Sequence, residues 1–156
     1  MSTAYRAEIV AAAKTHGLDP DLVEALVLVE SSGRTHAYRY EPAFWTRYLA
    51  TNPAYQHLNP ERVSASYGLM QIMFPVAVEV GYTAHDPEYL FVPSIGLEYG
   101  CRKLAALLRW AHGSVPQALA AYNGGQGGNA APPYRNQPYV DRVVARLAGP
   151  PARSAV

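Results

Sequence analysis

The run Asp21-Leu-Val-Glu-Ala-Leu-Val-Leu-Val-Glu30 constrains the fold more than any other stretch of the chain. It is apolar almost all round. Leu22, Val23, Leu26 and Val27 lie three and four residues apart, so they form one face of a helix. Glu30 follows Leu26 by four residues and shares that face. Burial disfavours an ionised carboxylate and raises its pKa, which is what a general acid at neutral pH requires. The plainer reading is a carboxylate at a helix end paired with Arg34 at i+4, an arrangement that contributes little to stability.

The rest of the pattern is mainly α. Residues 3–16 carry Ile9, Val10 and Ala13 on one face, and Gly17 stops that helix. Asp19-Pro20 reads as an N-cap with proline in the first turn, opening a helix to about Ser31 that Gly33 ends. Glu41-Pro42 opens a short helix with Phe44, Trp45, Tyr48 and Leu49. Residues 66–73 read as a helix, Pro75 starts another to residue 80, and Gly81 ends it. Ser94 caps a long helix to about His112, a short one runs from Pro116 to Asn123, and 124–129 is a loop. A last helix over about 137–147 carries Val140, Val143, Val144 and Leu147. There is room for a small β-hairpin between residues 32 and 66. One domain over 1–148 is expected, with 149–156 a frayed tail.

Composition removes several function classes. The 156 residues are 49% hydrophobic and 16% charged with formal net charge +1, an ordered protein with no call for nucleic acid or an anionic membrane as partner. No segment approaches the length of a membrane span. The histidines show no metal spacing, and HExxH and CxxC are absent, so neither metal nor other cofactor is expected. A monomer is expected. The lone Cys101 is in register with Leu97, Leu104 and Leu108; it reads as core or as a reactive thiol. The N-terminal stretch has charge where a secretory signal would be apolar.

Three short elements carry the chemistry. The first is Glu30-Ser31-Ser32-Gly33, a helix end running into small polar residues. The second is Tyr67-Gly68-Leu69-Met70-Gln71-Ile72-Met73. Gly68 permits close approach of a backbone or ligand, and Gln71 is an uncharged donor and acceptor suited to sugar hydroxyls or an acetamido group. Equally, this is a core stripe with Gln71 on the wet side. The third is Ala120-Ala121-Tyr122-Asn123-Gly124-Gly125, also an ordinary C-cap. Gly125-Gln-Gly-Gly-Asn-Ala130 matches a loose dinucleotide pattern, but it follows a helix and Pro132-Pro133 blocks the helix that should come next. The twelve tyrosines suit a carbohydrate cleft and a core equally.

In this order and spacing the three elements resemble the catalytic domain of the soluble lytic transglycosylase family, lysozyme-like enzymes that cleave peptidoglycan. The resemblance runs from about Ile9 to Val144, including Gly17-Leu-Asp-Pro-Asp-Leu-Val23 and Pro93-Ser-Ile-Gly-Leu-Glu-Tyr-Gly100. It implies a lysozyme-like helical domain with a substrate cleft between the Glu30 helix and the 66–73 segment. It implies Glu30 as the single acid/base and Ser31 as a residue orienting substrate. Gln71 and Met73 would contact the glycan, Tyr122 would hydrogen-bond the catalytic carboxyl, and Asn123 would support the sugar site. The substrate would be peptidoglycan glycan strands, cleaved between N-acetylmuramic acid and N-acetylglucosamine with formation of a 1,6-anhydro ring.

Two departures stand out. Arg39-Tyr-Glu41-Pro-Ala-Phe44 resembles phage-type muralytic domains more closely. Glu41 reads as a helix-start carboxylate or an arginine partner, as a substrate contact, or as a base for water. The last reading would make an inverting muramidase and needs roughly 6.5–9.5 Å between the two carboxyls. Tyr139-Val140 of the last helix is kept, with Tyr139 a candidate substrate contact, but the family's acid before it is missing. The alternatives are thus a hydrolytic lysozyme of the same fold and an inactive cell-wall-binding or phage-tail module. Action in the periplasm or cell wall is expected, reached by phage delivery, by a secretion system, or after removal of a leader.

Overall fold

The computed structural model describes residues 4–148. Its elements in order are α1 (Arg6–Thr15), α2 (Pro20–Ser31), β1 (Tyr38–Tyr40), α3 (Pro42–Phe44) running into a π-turn (Trp45–Leu49), α4 (Pro60–Val63), β2 (Ala65–Tyr67), β3 (Ile72–Met73), α5 (Phe74–Glu79), a 3-10 turn (Pro87–Phe91), α6 (Pro93–Trp110), α7 (Val115–Gly124) and α8 (Gln137–Ala148). The expected tail lies outside the described residues.

The helix boundaries follow local chemistry. Asp19 accepts from the Asp21 amide at 2.9 Å and Pro20 supplies the first turn of α2. At the other end Ser32 and Gly33 take φ of 56° and 75°, which unwinds the helix just past Ser31. α6 starts at Pro93, with Val92 as its cap and Ser94 already inside the helix. The missing proline N–H costs nothing in a first turn, so Pro93 begins the helix that Ser94 was expected to cap.

Residues 66–73 are not a helix. They form a β-hairpin, with Ser66 opposite Met73 and Tyr67 opposite Ile72. β1 pairs on the other side of β2, Tyr38 opposite Tyr67, to give a three-stranded antiparallel sheet in the order β1-β2-β3. The strands therefore extend past the 32–66 interval that had room for a hairpin. Gly68 and Gln71 sit at φ 76° and 48°, a left-handed backbone no helix accommodates. A Cβ on Gly68 would lie 2.5 Å from the Leu90 carbonyl oxygen, so only glycine fits.

The helix-like apolar spacing arises because the turn and the arms of this hairpin are both buried, in different places. Leu69 and Met70 at the turn belong to the main core with α1, α2, α6, α7 and α8. Tyr67 and Ile72 belong to a second core with Leu49, Val63, Phe74, Tyr82 and Leu90. Gly100 of α6 faces the turn; a Cβ there would lie 2.4 Å from the Met70 sulfur, so the helix backbone packs directly on Met70. Cys101 is fully buried beside the same sulfur, at 4.0 Å, and burial pushes its thiol up to about 12. It is a core residue and not a reactive thiolate.

Candidate active site

Glu30 is the last residue but one of α2, half-buried. Ser31 beside it is 1% exposed, with its hydroxyl 2.8 Å from the Leu69 carbonyl and 3.0 Å from that of Val27. One proton serves one of these acceptors at a time. Either way, Ser31 ties the end of α2 to the hairpin turn and is turned away from solvent. Arg34 donates to the Ser31 carbonyl at 3.1 Å, so the surface pairing with Glu30 does not form.

The partner of Glu30 comes from α8. The Tyr139 hydroxyl donates to Oε1 of Glu30 at 2.6 Å. Burial raises the Glu30 carboxyl above its usual range; the Tyr139 hydrogen bond and the cations Lys103, Arg39 and Arg142 pull it part of the way back. Tyr139 is 5% exposed, and burial and Glu30 both hold its hydroxyl protonated far above neutrality. It is therefore a permanent donor to the carboxyl.

The entry to α8 is set by a polar network that hangs from α7. Asn136 Nδ2 donates to the Ala120 carbonyl at 3.0 Å and to Asn123 Oδ1 at 2.9 Å. Fully buried Asn129 accepts from the Arg135 amide at 3.0 Å, and Arg135 donates to the Gly124 carbonyl at 2.8 Å. Val140 and Val143 then bury α8 against the core, which turns Tyr139 toward α2. Asn123 is exposed and its amide oxygen is engaged by Asn136, so its demonstrated contact is this brace.

Tyr122 is not the tyrosine that holds the carboxyl. Its hydroxyl donates to the Met70 carbonyl at 2.6 Å, closing α7 onto the hairpin turn. Met70 is fully buried, and a buried carbonyl needs a donor, so the Tyr122 hydroxyl is spent there. Gln71 is likewise committed: its amide nitrogen donates to the carbonyls of Ala37 at 2.9 Å and Gly68 at 3.1 Å, which braces its own left-handed backbone. Met73 is half-buried on β3 opposite Ser66. Glu41 pairs with Arg39 at 3.3 Å and sits 30% exposed before α3, matching the plainest of its three readings.

Lys103 escapes a reading based on motifs. Its ammonium donates to the Tyr122 carbonyl at 2.9 Å and lies 4.3 Å from the centre of the Tyr122 ring. Burial pushes it down to about 8. The available signal is spacing: Gly96, Gly100 and Lys103 lie four and three residues apart, on the face of α6 where glycines admit close neighbours. Among the described residues no group of three or more His, Cys, Asp or Glu could hold a metal ion, and no helix is long and apolar enough to cross a membrane.

Known proteins bear on this geometry as follows. No curated protein matches the chain. The structure of an inactive Glu-to-Gln mutant of the lytic transglycosylase Slt from Pseudomonas aeruginosa is similar at a TM-score of 0.67 and 22% identity, over 92% of this chain and 23% of that one. The 70 kDa soluble lytic transglycosylase from Escherichia coli is similar at 0.67 and 21% identity, over 93% of this chain and 24% of that one. At such identity the likeness is one of fold, and this chain spans about a quarter of the length of either protein. The model of the transglycosylase SLT domain matches residues 8–137, from the first turn of α1 to the start of α8. That match takes in Glu30, the hairpin turn and the Tyr122-Asn123 helix end together, and the chain belongs to the transglycosylase SLT domain family.

Proposed function

We propose that this domain is a peptidoglycan lytic transglycosylase in which Glu30 is the sole acid and base. One observation carries the reading. The half-buried Glu30 carboxyl is raised by burial, and the group that hydrogen-bonds it is a neutral hydroxyl, Tyr139 at 2.6 Å. A raised carboxyl held by a neutral donor suits the single acid and base of substrate-assisted cleavage.

The chemistry runs from Glu30. Its protonated carboxyl gives the proton to the glycosidic oxygen as the bond from muramic acid C1 to that oxygen breaks, and N-acetylglucosamine leaves with a free 4-hydroxyl. The N-acetyl carbonyl of the muramic acid stabilises the positive anomeric carbon. The Glu30 carboxylate then takes the proton of the 6-hydroxyl as O6 bonds to C1. Glu30 ends protonated and no water is consumed. Tyr139 donates to Oε1 in both protonation states and leaves Oε2 to handle the proton. Peptidoglycan places this action in the periplasm or cell wall. Ser31, Gln71 and Tyr122 enter as residues that hold the hairpin turn against α2 and α7, while Met73, Asn123 and Glu41 remain candidates for contact with the strand.

The test is muropeptide mass spectrometry on sacculi digested by the wild-type protein and by Glu30→Gln. Release of 1,6-anhydromuramoyl products by the wild type alone is expected. Products ending only in reducing muramic acid, abolished by Glu41→Gln, would instead establish hydrolysis with Glu41 as base. Binding without release, identical in Glu30→Gln, would make the domain an inactive wall-binding module.

A further inference from the structure

We infer that Arg39 reads the charge carried by the glycan strand: the sheet face that bears Arg39, Ser66 and Met73 is a subsite at which the Arg39 guanidinium takes a carboxylate borne through O3 of a muramic acid. This deepens the proposed activity and rests on peptidoglycan being the substrate.

The register brings the three residues together. Arg39 lies opposite Ser66 and Ser66 opposite Met73, so their side chains form one row on one face of the sheet. Tyr38, Tyr67 and Ile72 form the row on the other face. That face is filled: the Tyr67 ring meets those of Tyr38 at 5.6 Å and Phe91 at 5.1 Å, and Tyr67 and Ile72 are buried in the second core. The Arg39 face is open. The Arg39 side chain is 75% exposed and Met73 is half-buried. The Ser66 hydroxyl has no protein partner among the described residues and is not sealed from solvent.

The row lies beside the acid. The hydroxyl of Ser31, next to Glu30, meets the Leu69 carbonyl at 2.8 Å. Ser66 precedes Leu69 by three residues, at most about 10 Å of chain. The strand of Arg39 is pinned to the same turn, because the Ala37 carbonyl accepts from the Gly68 amide at 2.8 Å and from Gln71 at 2.9 Å. The Arg39 charge also pulls the Glu30 carboxyl down, as a cation on the acid's side of the sheet would.

The guanidinium is held with its end free. Glu41 approaches the Nε edge at 3.3 Å. The two terminal nitrogens have no hydrogen-bond acceptor among the described residues, which leaves a fork suited to bidentate binding of a carboxylate. N-acetylated sugars carry no charge. The anions of a peptidoglycan strand are carboxylates borne through O3 of muramic acid, either that of the lactyl group itself or those of the peptide built on it.

The experiment measures binding by calorimetry to the full chain carrying Glu30→Gln, with and without Arg39→Gln, so that no cleavage intervenes. The ligands are soluble strands of two disaccharide repeats bearing peptides, the same strands stripped to free lactyl groups, and chitotetraose, which has neither. Arg39→Gln should weaken binding of the carboxylate-bearing strands about tenfold or more and leave that of chitotetraose unchanged, and Arg39→Lys should recover part of the loss. A loss confined to the peptide-bearing strands assigns the peptide carboxylates, and one confined to the stripped strands assigns the lactyl group; either supports the inference. An equal loss on all three ligands, no loss on any, or no binding of any strand before Arg39 is changed overturns it. Arg39 is exposed and belongs to neither core, so the variants keep the fold. A selective loss of affinity in a protein that releases no anhydromuramoyl product would refute the proposed activity and uphold the subsite.

Discussion

The hydroxyl of Tyr139 meets Oε1 of Glu30 at 2.6 Å, joining the start of α8 to the end of α2 across 109 residues of sequence. Because the hydroxyl stays protonated, the bond orients the carboxyl without fixing its charge. An acid/base needs that combination: one oxygen held, the other free to give and receive the proton.

Tyr139→Phe tests the orienting role. The hydrogen bond favours the ionised carboxyl, so its loss should raise the Glu30 midpoint further. Turnover should fall about ten- to hundredfold, the scale of losing one oriented donor. The fold should survive, with a cost of about 0.5–1.5 kcal/mol in urea unfolding. Wild-type turnover in this variant would remove Tyr139 from the mechanism.

Tyr122→Phe should behave in the opposite way. It leaves the Met70 carbonyl without its donor, so stability should drop by about 1–3 kcal/mol. The Glu30 midpoint should move much less than in Tyr139→Phe. Comparing carboxyl titrations of the two variants distinguishes the residue that holds the acid from the one that holds the fold.

Glu30→Gln should lower activity by about 10²–10⁴-fold, the range for removing a general acid. Its stability should depend on pH with a definite sign. A carboxyl whose folded pKa is raised adds stability below the unfolded value and loses it as pH climbs through the folded one. Gln does not titrate, so the variant should gain on the wild type between pH 4 and pH 8. Parallel melting curves at the two pH values check this; a constant difference would mean that burial does not perturb Glu30.

Lys103→Met should show a different pH dependence of stability. The folded lysine titrates near 8 and the unfolded one near its ordinary value of 10.5. The unfolded chain thus binds more protons between these values, and wild-type stability from this group rises across them. Unfolding of wild type and Lys103→Met at pH 7 and pH 9.5 should show the wild type gaining on the variant at the higher pH.

Gly68→Ala should destabilise by about 2–4 kcal/mol. Part is the left-handed backbone, at φ 76°, and part the Leu90 oxygen 2.5 Å from the new Cβ. Thermal unfolding measures the loss. A neutral substitution would mean that the turn and the 3-10 segment are free to move apart.

Much of the fold can be read locally. Asp19-Pro20, the apolar run behind them and Gly33 contain all that α2 needs, and the apolar faces of α6 and α8 are equally explicit. Glu30 stands out for the same reason, as a carboxylate in register with a core face. The hairpin does not, because Leu69, Met70, Ile72 and Met73 have the spacing of a helix face, while Leu69 and Met70 fill one core and Ile72 another. Only the left-handed backbone at Gly68 and Gln71, braced from Ala37 and Leu90, separates the two conformations, and those braces are remote in sequence. The same holds at the active site. Tyr122 and Tyr139 are both tyrosines on buried helix faces, and Lys103 is one lysine on a long helix. Local sequence determined which side chains could serve an acid. Which hydroxyl reaches Glu30, and which carbonyl takes the other, was decided by how α7 and α8 cross α2 and the hairpin turn, since a hydrogen bond is won over tenths of an ångström that only tertiary packing sets.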